Sequence, residues 1–150
     1  MRGVWGARIL LLMLLLAACS RRQDATETLV RIRTSTGAVA VHALIADSDA
    51  ERQRGLAGRR RLRPDTAMAF LFGHPVRSGF WMKDTLIPLS VAFWGPRRRI
   101  VAIMDMSLCH SGGCPSYKPG VSYIGALEAN RGFFLEHGVE VGDRVEIARG

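Results

Sequence analysis

The stretch that decides the fold runs Leu29-Val30-Arg31-Ile32-Arg33, then Ser35-Thr36-Gly37, then a second apolar run over residues 39–45. Two apolar runs on either side of a small polar turn that contains glycine predict a β-hairpin. The hairpin indicates that the folded domain begins near residue 28 and that strands dominate it.

Six further short apolar runs follow, and glycine, proline or polar residues separate them. They cover residues 68–72, 79–82, 89–94, 100–106, 122–128 and 143–148. Each run is predicted to be a strand. Gly95-Pro96 predicts a hairpin turn that holds the three arginines 97–99, and Gly142 predicts a turn before the last strand.

Two short helices are expected between the strands. Ser48-Asp49-Ala50-Glu51 matches a capping box, which predicts a helix over residues 49–56. A second helix is predicted over residues 130–137, ended by Gly138. Strands this short and this numerous predict a mainly β fold, a single compact antiparallel β-sandwich or barrel, jelly-roll-like, with one or two short helices.

The chain has 150 residues and a formal net charge of +8, and its N-terminus differs from the rest. Arg2 and Arg8 lie before an apolar stretch over residues 9–18. This arrangement is typical of a secretory signal peptide. The stretch is shorter than the roughly 18–20 residues of a membrane span. The remaining residues suffice for one domain with a hydrophobic core, and their composition excludes disordered and collagen-like classes.

Leu16-Ala17-Ala18-Cys19 resembles the lipobox of bacterial lipoproteins. The resemblance implies lipidation of Cys19 by palmitate-type chains, cleavage after Ala18, and anchoring to the outer face of a bacterial membrane in the cell envelope. Two or more acyl chains anchor a protein stably, whereas one holds it marginally. Residues 1–18 would then be the lipoprotein signal peptide, residues 19–27 a polar tether, and residues 28–150 one β-rich domain. An ordinary signal peptide with a chance cysteine is the alternative.

Cys109 and Cys114 are the two cysteines that remain after Cys19. An even pair in an exported chain predicts a disulfide. A metal site or a redox dithiol are the alternatives, but the spacing fits neither well.

No cofactor is expected, because the sequence has no phosphate-binding glycine loop and no nucleophile elbow. No metal site is predicted either, since the four histidines show no ligand spacing.

Two arginine clusters carry much of the positive charge: Arg59-Arg60-Arg61 with Arg63, and Arg97-Arg98-Arg99. Inside a cell such clusters would favour nucleic-acid binding. For an exported chain no nucleic-acid partner is expected, and anionic head groups or cell-wall polymers are the available polyanions. Solvated loop arginines remain the simplest interpretation, and the sequence does not indicate an oligomeric state.

The mature chain resembles the domain of unknown function 192, an uncharacterised prokaryotic family. The resemblance rests on Glu51-Arg52-Gln53-Arg54-Gly55-Leu56, Met68-Ala69-Phe70-Leu71-Phe72, Phe80-Trp81-Met82-Lys83-Asp84-Thr85, Pro88-Leu89 and Leu127-Glu128-Ala129. It implies a compact β-rich, jelly-roll-like fold and supplies no reaction. Ala57, Asp84 and Ser90 depart from the family pattern, which usually has Met, Asn and Asp there.

A ligand site is predicted around Trp81, Lys83 and Asp84, with Arg59 and Glu128 as a polar wall. Because successive side chains of a strand point to opposite faces, Phe80 and Met82 should face inward and Trp81 and Lys83 outward. The alternative is that this segment is an ordinary strand, in which Trp81 and Lys83 lie outside without binding a ligand. Glu128 interrupts an apolar strand, so a structural ion pair with Arg59 or Lys83 is expected, and a ligand clamp or general acid is the functional alternative.

Three functions are compatible with these features. The first is a lipid-anchored binding or accessory module of the cell envelope. The second is an envelope hydrolase that uses Asp84 and Glu128 as a carboxylate pair, since an enzyme needs an acid and a base within reach of one bond. The third is a purely structural envelope protein. Ser90 counts against acid–base chemistry at its own position, because its hydroxyl lacks a suitable pKa.

Overall fold

A computed structural model describes residues 27–109 and 113–148. The predicted signal peptide, Cys19 and nearly all of the predicted tether lie outside the described residues. The elements are β1 (Glu27–Thr34), β2 (Gly37–Ala46), α1 (Asp49–Arg54), β3 (Thr66–Val76), β4 (Leu89–Trp94), β5 (Ile100–Met106), β6 (Tyr123–Asn130), α2 (Phe133–Glu136) and β7 (Arg144–Ile147).

The strands form one mixed sheet in the spatial order β5-β4-β6-β3-β2-β1-β7. The predicted mainly β, single-domain fold with short helices is confirmed. The sheet differs from the prediction at one pair, because β2 and β3 run parallel. Parallel neighbours need a long connection that returns the chain to the same end of the sheet. Residues 47–65, the crossover segment, provide this connection and include α1.

The two terminal strands of the sheet, β5 and β7, meet at one end. The amide of Ile100 donates to the carbonyl of Asp143 at 2.8 Å, and the carbonyl of Ile100 accepts from the amide of Gly142 at 2.8 Å. An isolated bridge joins Arg99 to Arg144. The sheet therefore curls into an incompletely closed barrel with an inner and an outer face.

Each face of the sheet carries its own core. All seven strands contribute to the inner core, together with α2 and Val139: Val30, Ile32, Val41, Ala43, Ala67, Ala69, Ala92, Trp94, Ile100, Leu127, Ala129, Phe133, Phe134, Val139 and Val145. The outer core lies under the crossover segment, which contributes Leu56 and Leu62, and under residues 77–88, which contribute Phe80, Met82 and Ile87. We call residues 77–88 the covering loop.

The predicted strand over residues 79–82 is wrong. Phe80 makes an isolated bridge to Tyr117, and no ladder continues from it. The predicted alternation is nevertheless confirmed, because Phe80 and Met82 are buried while Trp81 and Lys83 are exposed. An extended segment that lies on a core alternates in this way whether or not it pairs with a neighbouring strand.

Both helices are shorter than predicted, and only α1 begins at the predicted residue. The capping box of α1 is present, since the Glu51 amide donates to Ser48 Oγ at 3.3 Å and the Ser48 amide donates to the Glu51 carboxylate at 3.0 Å. Gly55 ends the helix. α2 begins later than predicted because Asn130 still belongs to β6.

Cys109 and Cys114 form the predicted disulfide, and their Cα atoms are 5.2 Å apart. No cluster of three metal-ligating side chains occurs within residues 27–109 and 113–148. In the same ranges, no helix combines the length and apolar character needed to cross a membrane.

Gly125→Ala tests the packing of the inner core. A Cβ at Gly125 would lie 2.1 Å from Cζ2 of Trp94, its neighbour on β4. Because Trp94 is fully buried, we expect the substitution to lower the free energy of unfolding by about 3 kcal/mol. Gly73→Ala on β3 is the matched control, since a Cβ there meets no atom within 4 Å. Equal stability of both variants in chemical denaturation would contradict this packing.

Candidate ligand-binding site

A cavity of about 380 Å³, here called the α1 cavity, opens on the outer face of the sheet between α1 and the covering loop. This volume lies at the small end of typical ligand pockets, roughly 300–1,000 Å³, so the cavity suits a small molecule. Four segments line it: Asp49, Arg52, Gln53, Arg54, Gly55 and Leu56 at α1, Phe70 and Phe72 on β3, Ser78, Gly79, Phe80, Trp81, Lys83 and Thr85 in the covering loop, and Glu128 on β6.

Arg52 fastens the helical wall of the cavity to the sheet. Its guanidinium donates to the carbonyl of Leu71 at 2.8 Å and to the carbonyl of Asp47, and it pairs with Asp49 at 2.6 Å. It also lies 5.2 Å from the centre of the Phe72 ring. Since the charges of Arg52 and Asp49 compensate each other, this pair forms a wall of the cavity and not a free ligand group.

Gly55 lets the chain leave α1 directly above the floor of the cavity. Its φ of 49° and ψ of −135° lie in a region that only glycine adopts without strain. A Cβ at Gly55 would lie 3.4 Å from Cζ of Phe70 and 4.0 Å from Oε2 of Glu128. The backbone of Gly55 therefore approaches the Glu128 carboxyl closely without offering a side chain to it.

The covering loop is held on the outer core by aromatic contacts. The Phe80 ring packs edge-on against Phe70 at 4.8 Å and against Phe93 at 5.3 Å between ring centres. The Tyr123 hydroxyl donates to the carbonyl of Ser78 at 2.8 Å. Trp81, in contrast, remains 56% exposed at the mouth of the cavity. The loop thus presents a fixed aromatic wall and one open indole ring.

Glu128 forms the floor of the cavity. It is the only buried charged residue in the described part of the chain, and its neighbours across the sheet, Met68 and Val91, are apolar. Within residues 27–109 and 113–148 it has no hydrogen-bond or ion-pair partner, and its oxygens reach the cavity. The predicted ion pair with Arg59 or Lys83 is therefore wrong. Burial alone raises the pKa of Glu128 to about 8.

The rim of the cavity carries positive charge. Arg54 and Lys83 are both exposed, and neither forms an ion pair with another residue of the described ranges. The Lys83 ammonium lies 5.8 Å from the centre of the Trp81 ring. The cavity is therefore polarised, with a carboxyl at its floor and two cations at its rim.

Of the five predicted site residues, Trp81, Lys83 and Glu128 line the cavity, and Arg59 and Asp84 do not. Asp84 adopts a φ of 58°, and its carbonyl accepts a hydrogen bond from the amide of Gly58 at 2.8 Å. Asp and Asn tolerate this left-handed conformation better than most residues. The backbone role of Asp84 explains the residue type at this turn, and no ion pair joins it to Lys83 among the described residues.

Ser90 belongs to the opposite face of the sheet. It shares the inner face with Ala92 and Trp94, whereas Glu128 faces outward. Its hydroxyl donates to the Asp105 carboxylate and accepts from the Gly132 amide at 2.9 Å. A side chain at position 90 therefore cannot share a site with Glu128.

The two arginine clusters lie on exposed loops. Arg63 pairs with Asp65 at 2.8 Å, and Arg99 donates to the carbonyl of Gly142 at 2.8 Å. The arginines of both clusters are exposed, and none of them lines the cavity. Their placement agrees with solvated loop arginines.

Residues 30–147 match the family described as DUF192, an uncharacterized ACR. The chain belongs to the DUF192 family. No curated protein shows significant similarity to it. Solved structures that share its fold include the following two. A candidate transcription regulator from Sinorhizobium meliloti is 30% identical, with a TM-score of 0.74, over 82% of this chain and 95% of that one. A protein of unknown function from Novosphingobium aromaticivorans is 27% identical, with a TM-score of 0.77, over 84% and 89%.

Sequence reasoning missed part of the cavity of this DUF192 protein. The sequence predicts only a place in the family motifs, and none in the site, for four residues that line the cavity: Arg54, Gly55, Phe70 and Phe72. The signal was available in the run from Glu51 to Leu56, where a capped helix ends in Gly-Leu. What no local pattern showed was that this helix end lies over β6.

Glu128→Gln tests the unpaired carboxyl of this DUF192 protein. Because the folded-state pKa of about 8 lies above the ordinary glutamate value of 4.5, folding takes up a proton, so stability falls as pH rises from about 4.5 to about 8. At pH 7 the carboxyl should cost about 3 kcal/mol, which a neutral amide of the same shape removes. Glu128→Gln should therefore be more stable than the wild type at pH 8 and nearly equal at pH 4.5.

The measurement is urea denaturation across this pH range, with Glu140→Gln as the matched control on an exposed residue. If the stability of the wild type and Glu128→Gln showed the same pH dependence, Glu128 would be partnered or exposed in solution.

Proposed function

We propose that this protein is exported, anchored by lipid at Cys19 to the outer face of a bacterial membrane, and binds a small ligand in the α1 cavity as a binding or accessory module of the cell envelope. The observation that carries the binding role is Glu128. A buried carboxyl without a partner destabilises a folded chain, and such groups concentrate at functional sites. A structural role would call for a partner within the fold.

Two features support the envelope location. Residues 16–19 have the lipobox pattern after a short apolar stretch with arginines at its start. The Cys109–Cys114 disulfide is typical of proteins that fold outside the reducing cytosol. The lipid anchor would keep the cavity near the membrane surface and near soluble compounds of the envelope.

The positions of the acidic residues favour binding over hydrolysis. A carboxylate-pair hydrolase needs two carboxyl groups within reach of one bond. Asp84 lies outside the cavity, and Asp49, the second acid of the lining, is paired with Arg52. Glu128 is left as a single recognition group on the floor.

The anchor is tested with Cys19→Ala. We expect the wild type and the neighbouring control Ser20→Ala to incorporate a fatty-acid analogue during growth, and Cys19→Ala to incorporate none. The reason is that the Cys19 sulfur is the acceptor of the first acyl group. Label on Cys19→Ala, or an unlabelled wild type that fractionates with the cytoplasm, would contradict the proposal.

The binding role is tested by equilibrium dialysis of the full-length protein against the low-molecular-mass fraction of an envelope extract. We expect the wild type to retain a compound that Trp81→Ala retains about tenfold less, since an exposed aromatic anchor contributes contact energy and little stability. Asp84→Asn is the matched control, because it keeps the turn and lies outside the cavity. Retention by neither wild type nor Asp84→Asn, or equal retention by Trp81→Ala, would count against the proposed site.

A further inference from the structure

We infer that the ligand of the α1 cavity is a small zwitterion, whose organic ammonium group lies against Glu128 and whose anionic group meets Arg54 and Lys83 at the rim. This inference rests on the proposed function, because it names the ligand class of the same cavity. It follows from the distribution of charge between floor and rim.

The floor favours a cation. Its polar group is the Glu128 carboxyl, and the Phe70 ring and the backbone of Gly55 lie beside it, while Phe80 packs edge-on against Phe70 in the same lining. The Gly55 amide is already bonded to the carbonyl of Glu51 at 2.8 Å, so it has no donor left for an anion. A carboxylate among aromatic rings is the arrangement that binds organic ammonium groups.

Two cations of the protein already lie against aromatic rings of the lining, Arg52 at the wall and Lys83 at the rim. The Arg52 guanidinium lies over Phe72, and the Lys83 ammonium lies over Trp81. Both contacts are at cation–π distance, 5.2 and 5.8 Å from the ring centres. The aromatic lining therefore stabilises positive charge at this site.

The rim favours an anion. Arg54 and Lys83 are exposed and unpaired within the described ranges, so they would repel a ligand that carried only positive charge. An anionic group on the same ligand converts that repulsion into attraction. A zwitterion is the ligand class that satisfies the floor and the rim together.

The groups that face Glu128 determine how binding depends on pH. β3 and β4 present Met68 and Val91 beside it, which do not titrate. α1 contributes Asp49, Arg52 and Arg54 to the cavity, and the covering loop contributes Lys83. An ammonium ligand must displace the proton of Glu128, so its affinity should rise with pH up to about 8. A neutral ligand that accepts the Glu128 proton would show the opposite trend.

The test uses glycine betaine and two analogues that each lack one charge. In tert-butylacetate a carbon replaces the quaternary nitrogen at equal shape, and choline keeps the nitrogen without the carboxylate. Titration calorimetry of the full-length protein in a nonionic detergent should give betaine an affinity about tenfold higher than either analogue. The quaternary nitrogen does not titrate, so any pH dependence belongs to the protein.

Two variants assign the charges. Glu128→Gln should lower betaine affinity about tenfold at pH 8 and abolish the pH dependence, which in the wild type is a fall of about tenfold in total from pH 8 to about pH 6. Arg54→Gln should lower the affinity for betaine and leave the affinity for choline unchanged or higher. Glu140→Gln and Arg97→Gln, both exposed and outside the cavity, are the matched controls.

A zwitterionic ligand can be a free solute or a lipid head group. Vesicles of phosphatidylcholine that compete with betaine, while phosphatidylglycerol vesicles do not, would assign the site to head groups. Betaine binding without competition by either vesicle would assign it to soluble zwitterions. Both outcomes support the inference.

Three results would overturn the inference of a zwitterionic ligand. They are tighter binding of tert-butylacetate than of betaine, a betaine affinity that falls as pH rises, and no binding of betaine. The proposed function would survive that result if dialysis still showed a compound whose retention depends on Trp81. If calorimetry showed no betaine binding and dialysis showed no compound whose retention depends on Trp81, the α1 cavity would not be a ligand site.

Discussion

The parallel pairing of β2 with β3 is the constraint from which the cavity follows. Because both strands run in the same direction, the chain must return across the outer face of the sheet before β3 can begin. The crossover segment makes this return, brings α1 with it, and buries Leu56 and Leu62 in the outer core. A β-hairpin at this point would have left the face over Glu128 without a helical wall.

The crossover segment forms one wall of the cavity, and the covering loop forms another. Its buried residues, Phe80 and Met82, pack into the same outer core, while Trp81 and Lys83 remain at the surface. Two segments that are independent in sequence thus enclose one carboxyl on β6. The stability of the sheet comes from its two apolar cores, so the fold tolerates a carboxyl that has no protein partner and opens to the cavity between the two segments.

Much of the fold is readable from local signals. Ser48 and Glu51 identify α1 because a capping box is a local contact, and Gly95-Pro96 identifies the β4–β5 turn for the same reason. Residues 80–83 show which side chains are buried, since alternation reflects the nearest core, but not whether the segment pairs. The direction of β3 and the environment of Glu128 depend on contacts between distant residues. The charge of Arg59 predicts a place in the site, yet Arg59 follows the turn at Gly58 and lies outside the cavity.

The position of β6 bears on how the protein folds. β6 lies between β3 and β4, although both precede it in the chain. The β1–β2 hairpin with its crossover to β3 and the β4–β5 hairpin are each local, so closing them demands little loop entropy. Pairing of β6 with β3 and β4 joins these two units and places Glu128 at the floor of the cavity. We therefore expect proton uptake to accompany the pairing of β6, which links the folding equilibrium of the sheet to the acidity of the compartment where it folds.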